Sequence, residues 1–210
     1  MKNLIKHLLE NNFEEILSRS LLHCHAQGLH SIMLLEAPGK TIRLYVAVKG
    51  NDLHKNFYRN FKNNGMSIAF HPHHCNLTLH CIKGWFYNWE VTEGSIGECI
   101  ETTKFLYKSK IKSGDTDFTK VQDNAGLQTT NYRLMKEGDC VMMKANEIHT
   151  VACPSDQVTS WIVFEGKENG KHVDYCWSNQ DLTKQDFSGL YQKTNAATIH
   201  DLISLSGILV

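Results

Sequence analysis

Past Gly28 the chain is cut into short segments rich in β-branched and aromatic residues, each closed by a turn signal. Eleven such segments follow one another: HSIMLLE, TIRLYVAVK, MSIAFH, LTLHCIK, WFYNWEVT, ECIETTKFLYKS, NYRLMK, CVMMK, TVAC, VTSWIVFEG and HVDYCWS. Between them stand Pro38-Gly39, Gly50-Asn51-Asp52, Asn63-Asn64-Gly65, Ser113-Gly114-Asp115, Glu137-Gly138-Asp139 and Asn169-Gly170. Partly alternating strands at this spacing predict an all-β antiparallel sandwich or barrel.

The two ends read differently. Leu4, Ile5, Leu8 and Leu9, then Phe13, Ile16, Leu17 and Leu21, repeat at helical spacing, with Asn11-Asn12 dividing the run into two short helices. At the other end ATIHDLISL puts Ile199, Leu202 and Ile203 on one stripe. The expectation is one domain over 1–210: a helical extension at 1–27, a β-barrel at 28–180 and a helical segment at 181–210. A chain of 210 residues buries roughly 70% of its surface and needs no disulfide staple.

Charge excludes some partners. The 22 basic and 22 acidic residues balance without a run of one sign, so no surface is marked for nucleic acid or for an anionic membrane. No stretch of 18 apolar residues predicts a membrane span. The first residues are amphipathic and carry Glu10, Glu14 and Glu15, unlike a signal peptide. Seven scattered cysteines without a CxxC pair are expected to be reduced thiols, mostly buried, of a cytoplasmic protein.

The chemistry concentrates in FHPHHCNLTLHCIKG, residues 70–84, which holds four of the twelve histidines. Taken as strand, turn and strand, it sets His71 and His73 on one face, with a turn at His74-Cys75-Asn76 and a returning strand from Leu77 to Lys83. Two imidazoles are too few for a catalytic metal, and His149 in GDCVMMKANEIHTVAC is the candidate third ligand.

These two segments resemble the motifs of the cupin superfamily, a double-stranded β-helix or jelly-roll barrel. The first motif runs Gly65, five residues, His71-Pro72-His73, three residues, Leu77, six residues and Gly84. The second runs Gly138, five residues, Lys144-Ala145-Asn146, two residues, His149, three residues and Cys153. All spacings fit, over roughly residues 30–180. Leu77 stands where the family usually places a glutamate ligand, Lys144 and Asn146 replace Pro and Gly, and Cys153 replaces Asn. The resemblance therefore implies a site of three neutral histidines, as in thiol dioxygenases and some diketone-cleaving cupins, which bind iron that way. His80, three positions beyond Leu77, faces the other way on a regular strand, and a bulge would be needed to bring it into the glutamate's place.

Other residues carry weaker signals. His23-Cys24-His25 falls in or just after the predicted helix, where alternate side chains diverge, so helix-end capping is its expected role. His54 falls in a turn. Arg43 and Tyr45 share a face; the alternation of Ile42, Leu44 and Val46 turns those three inward and Arg43 toward solvent, while the opposite phase would aim the guanidinium at a substrate carboxylate or phosphate. Arg43, Tyr45 and Leu77 are the candidates for substrate contact. His74 at the rim and Tyr132 are the candidates for proton transfer. Trp85, Phe86, Tyr87 and Trp89 are read as mostly core, with some at the barrel mouth, and Met142-Met143 as core filling.

The resulting expectation is an Fe(II)-dependent dioxygenase acting on a small polar metabolite. Ni, Mn or Zn in the same site would instead support redox-neutral isomerase, epimerase or lyase chemistry, and a third reading is a cupin that binds a small molecule without transforming it. A homodimer is expected from the resemblance and from the need to protect open strand edges.

Overall fold

A computed structural model describes residues 2–64, 69–94, 99–110, 115–168 and 174–209. It opens with two helices, α1 (Lys2–Asn11) and α2 (Phe13–Arg19), followed by the short strand β1 (Leu21–Leu22). The hairpin β2 (Leu29–Ala37) and β3 (Lys40–Ala47) leads into a 3-10 turn at Asp52–Asn56 and helix α3 (Tyr58–Asn64). Next come β4 (Cys75–Lys83), β5 (Trp85–Glu93), β6 (Ile100–Lys110) and β7 (Asp115–Lys136). The series closes with β8 (Cys140–Met143), β9 (Ile148–Ala152), β10 (Thr159–Glu168), β11 (Tyr175–Ser178), β12 (Gln192–Lys193) and α4 (Ala196–Ser206).

The strands form two antiparallel sheets curled against one another as a double-stranded β-helix. One runs β12-β1-β2-β3-β10-β4-β8, the other β11-β6-β7-β5-β9. Tyr45, Leu77, Leu79, Trp161 and Val163 of the larger sheet face the barrel interior with Phe86 and Met135 of the smaller. The opposite face of the larger sheet is also apolar, and Ile42, Leu44, Val46 and Ile162 are buried there beneath Ile5, Leu8, Ile16, Ile199, Leu202 and Ile203 of the terminal helices. A sheet covered on both sides explains why β2 reads as a run of buried residues without alternation from Leu29 to Leu34.

This two-sided burial corrects several expectations. The Ile42, Leu44 and Val46 face meets helices, so Arg43 and Tyr45 lie on the barrel side and not in solvent. The first helical segment ends at Arg19, well short of residue 27, because Ser20 turns extended and Leu21 pairs with Ser31 and Lys193. The C-terminal segment likewise carries a 3-10 turn (Leu182–Lys184) and the strand β12 before its helix. Tyr58–Asn64 is helical and takes in Asn63-Asn64 of an expected turn. β7 extends over 22 residues although only its last part, NYRLMK, has a strand-like pattern. Its earlier, polar part is ordered by pairing with β6. Met143 is buried, but strand alternation leaves Met142 81% exposed. All seven cysteines are free, five of them buried. Among the described residues no helix is long and apolar enough to cross a membrane.

Gly28 positions one wall of the barrel. Its φ is +77°, and a Cβ there would lie 2.7 Å from Asn51 Cα. Asn51 is fully buried and fastens the 3-10 turn: Nδ2 donates to the Val48 and Pro154 carbonyls, and Oδ1 accepts from Leu53 N. Gly28→Ala is expected to cost at least about 1–2 kcal/mol from the left-handed backbone alone, read as a lower urea midpoint; an unchanged midpoint would contradict the close approach.

His30 is buried on β2, and its Nδ1 accepts the His23 N–H. Burial, with His23 beside it, pushes its pKa down to about 4. An unfolded histidine titrates near 6.5, so below that pH the unfolded chain binds a proton that folded His30 refuses. Stability should therefore fall as pH drops from about 6.5 toward 4. The His30 ring resonance should keep its neutral position through most of that interval, and titration near 6.5 would refute this.

Candidate metal centre

The centre starts from a backbone pairing. Residues 70–71 bridge β11 on one side and β9 on the other, the two edge strands of the smaller sheet. Phe70 exchanges both of its backbone bonds with Trp177, at 3.0 and 2.9 Å. His71 and His149 likewise exchange theirs, N to O, at 3.1 Å each way. Residues opposed in an antiparallel pair present their side chains on the same face, which brings the two imidazoles together with ring centres 5.6 Å apart.

Pro72 follows, and the chain crosses to the larger sheet. His71 and His73 therefore do not share one strand, and β4 begins at Cys75 where a turn was expected. His73 is fixed separately, its carbonyl accepting Asn146 N–H at 3.0 Å. Asn146 takes a left-handed φ of +70°, the conformation of the turn that leads into β9. The His73 ring lies 5.0 Å from each of the other two, and its Nε2 is 2.9 Å from Nε2 of His149.

Ligand nitrogens of His71, His73 and His149 all fall within 4.8 Å of one another. Two nitrogens about 2.05 Å from one ion and at right angles around it are themselves about 2.9 Å apart, so the observed spacing suits cis ligands of a divalent ion. Protonation suits it too. Burial pushes His71 down to about 4 and His149 down to about 3, and His73 lies well below its ordinary value. All three are neutral near pH 7, the state in which an imidazole ligates.

Asn88 sets which His149 nitrogen is free. It is fully buried on β5, and its Nδ2 donates to Glu90 Oε1 at 2.8 Å, so Oδ1 is the atom that meets His149 Nδ1 at 2.7 Å. The amide oxygen only accepts, so Nδ1 carries the proton and Nε2 keeps its lone pair for the centre. Glu90 in turn lies 3.9 Å from Arg133.

A cavity of about 70 Å³ opens beside the histidines. Tyr45, Leu77, Leu79 and Trp161 make its walls apolar. Directly across from Leu77 on β10 is Glu165, which also lines the cavity. It is not part of the three-histidine group, and Arg43 Nε holds it at 3.6 Å. Burial raises the Glu165 pKa and Arg43 opposes that rise. Arg43 itself stands behind Glu165 and does not line the cavity. No sequence pattern marked Glu165.

His25 is the other addition. It has left the helix, adopts φ +64°, lines the cavity and stacks on His71 with ring centres 5.3 Å apart. Tyr191 OH meets its Nδ1 at 2.9 Å. The helix-end role expected for His23-Cys24-His25 is thus replaced by a bend that delivers one histidine to the centre. Two candidates fall outside it. His74 is half-exposed and meets Asp174 Oδ1 at 2.5 Å, and Tyr132 stacks on Tyr87 in a separate aromatic cluster. His54 binds its own turn through the Asn51 carbonyl. His80 stays out of the cavity, since β4 and β8 pair without a bulge from Leu77 to His80. Gly65, of the first motif, lies outside the described residues.

No protein-family model matches the sequence, and no curated protein matches it. Among solved structures, the chain is similar to a cupin superfamily protein from Desulfitobacterium hafniense at 10% identity, with 67% of this chain and 78% of that one covered and a TM-score of 0.35. A cupin-like protein from Thermotoga maritima matches at 11% identity, with 74% and 80% covered and a TM-score of 0.39. A polyketide cyclase from Streptomyces resistomycificus matches at 10% identity, with 79% and 82% covered and a TM-score of 0.38.

Asn88→Leu should lower affinity for a divalent ion by about 10–100-fold, by freeing the tautomer and ring angle of His149. Competition with a chromophoric chelator measures this, and an unchanged affinity would remove Asn88 from the centre.

Proposed function

We propose that this chain is an Fe(II)-dependent dioxygenase acting on a small polar metabolite. The observation that carries the reading is the convergence of three neutral imidazoles at the wall of a small, largely apolar cavity. His71, His73 and His149 would hold the ion. When bound, iron held by three protein ligands keeps adjacent positions open for substrate and dioxygen and supplies the oxygen-activating chemistry.

The remaining residues prepare the site. Asn88 holds the Nδ1 proton of His149 and so keeps Nε2 basic toward the ion. Tyr45, Leu77 and Trp161 exclude water from the reacting end of the cavity. Arg43 acts through Glu165, neutralising a buried carboxylate that would otherwise repel an anionic substrate. His25, held by Tyr191 and stacked on His71, takes the place of His74 and Tyr132 as the titratable group beside the histidines. The reading includes a reducing, cytoplasmic setting, favoured by seven free cysteines, and a homodimer that covers an edge strand such as β8.

Imidazole ligands suit Zn, Ni and Cu as well as Fe, so the metal decides the reaction class. Elemental analysis of the purified chain and of His149→Ala should find about one iron per chain in the first and little in the second, with oxygen uptake on small acids and thiols only in the first. Zinc, nickel or manganese without oxygen uptake would replace the dioxygenase with redox-neutral chemistry. No metal in either chain after reconstitution would leave a barrel that binds a small molecule and does not transform it.

A further inference from the structure

His25 faces the histidine group without belonging to it. Its ring stacks on His71 and acts electrostatically on His73 and His149 as well, so the side chain, and not only the backbone, lies against the group. Burial keeps the ring neutral, with its pKa pushed down to about 3. A neutral imidazole carries one proton, and Tyr191 decides on which nitrogen.

The Tyr191 hydroxyl meets Nδ1 at 2.9 Å, and Tyr191 is buried with no other side-chain hydrogen bond among the described residues. Were Nδ1 to donate, the phenol O–H would be buried without an acceptor, an uncompensated loss of hydration. The phenol therefore donates, and the ring proton sits on Nε2. No acceptor among the described residues reaches Nε2, and yet it is not sealed. The unpartnered side-chain atoms of Asn56, His71, Gln157, Trp177 and Asn179 are closed off from any probe, whereas Nε2 keeps accessible surface.

We propose that His25 Nε2–H is a hydrogen-bond donor to a small ligand held at the histidine centre. The proposal rests on the reading of this centre as a metal site and adds the ligand's class: a carboxylate or carbonyl compound with an acceptor oxygen beside the atom that meets the ion. Leu29, Leu53, Leu77, Leu79 and Val163 of the cavity wall offer such an oxygen no donor. Tyr191 is a positioning residue in this arrangement, since it acts only through the His25 proton.

The test reads binding and not turnover. Long-range 15N NMR of the metal-free chain should find the His25 ring proton on Nε2, and a proton on Nδ1 overturns the proposal. The cobalt(II)-loaded chain is then titrated, through its visible spectrum, with acetate, whose second oxygen can accept, and with imidazole, whose second nitrogen cannot. His25→Phe should weaken acetate about tenfold and leave imidazole and cobalt within about twofold. In a crystal of the acetate complex the second oxygen should lie within about 3.2 Å of His25 Nε2, and a longer separation overturns the proposal. That distance is read on the unaltered chain, so it decides the matter even if the variant does not fold. Acetate and imidazole weakened alike, or neither weakened, overturns the proposal and leaves the metal centre standing. A chain that takes up no cobalt overturns both.

Discussion

The centre depends on one reciprocal pair of backbone hydrogen bonds, His71 to His149 and back, each 3.1 Å. That pair and the neighbouring exchange between Phe70 and Trp177 tie a two-residue bridge to both edges of the smaller sheet. The backbone groups of Trp177 and His149 on those edges are thereby satisfied, and the second pair of bonds orients two imidazoles on one face. Structural closure and ligand placement are one event here. Pro72 then frees the chain from the ladder, having no N–H to donate, and lets His73 approach from the other sheet.

Around that pair the polar groups are arranged in layers of decreasing freedom. Glu90 fixes Asn88, Asn88 fixes the His149 proton, and His149 meets His73. On the opposite wall Arg43 and Glu165 neutralise one another beside Leu77. The cavity thus contains a carboxylate one strand away from the place where the resemblance puts a glutamate. Its engagement with Arg43 leaves it outside the three-histidine group.

The barrel and the three histidines were legible because they rest on local patterns: strand-length apolar runs, turn residues and a fixed spacing between His71, His73 and His149. Ile199, Leu202 and Ile203 were legible as a stripe, and all three are buried on the larger sheet. What escaped depends on pairings between distant residues. His25 reaches the centre only because the helix stops at Arg19 and a left-handed bend follows, and Tyr191, which fixes it, lies 166 positions further on. Arg43 was assigned to the wrong face because alternation says which residues lie together, not which of two buried faces they enter.

Leu21 pairs with Lys193, and His25 meets Tyr191, so the two ends of the chain close the same side of the cavity. On a ribosome the order of appearance matters. The stretch that contains His71, His73 and His149 is complete while some sixty residues, Tyr191 among them, are still to be made. A nascent chain therefore holds all three histidines before the residues that close this side of the cavity exist. Synthesis itself separates the three histidines from the wall that shelters them, which waits for the last strand and helix to dock.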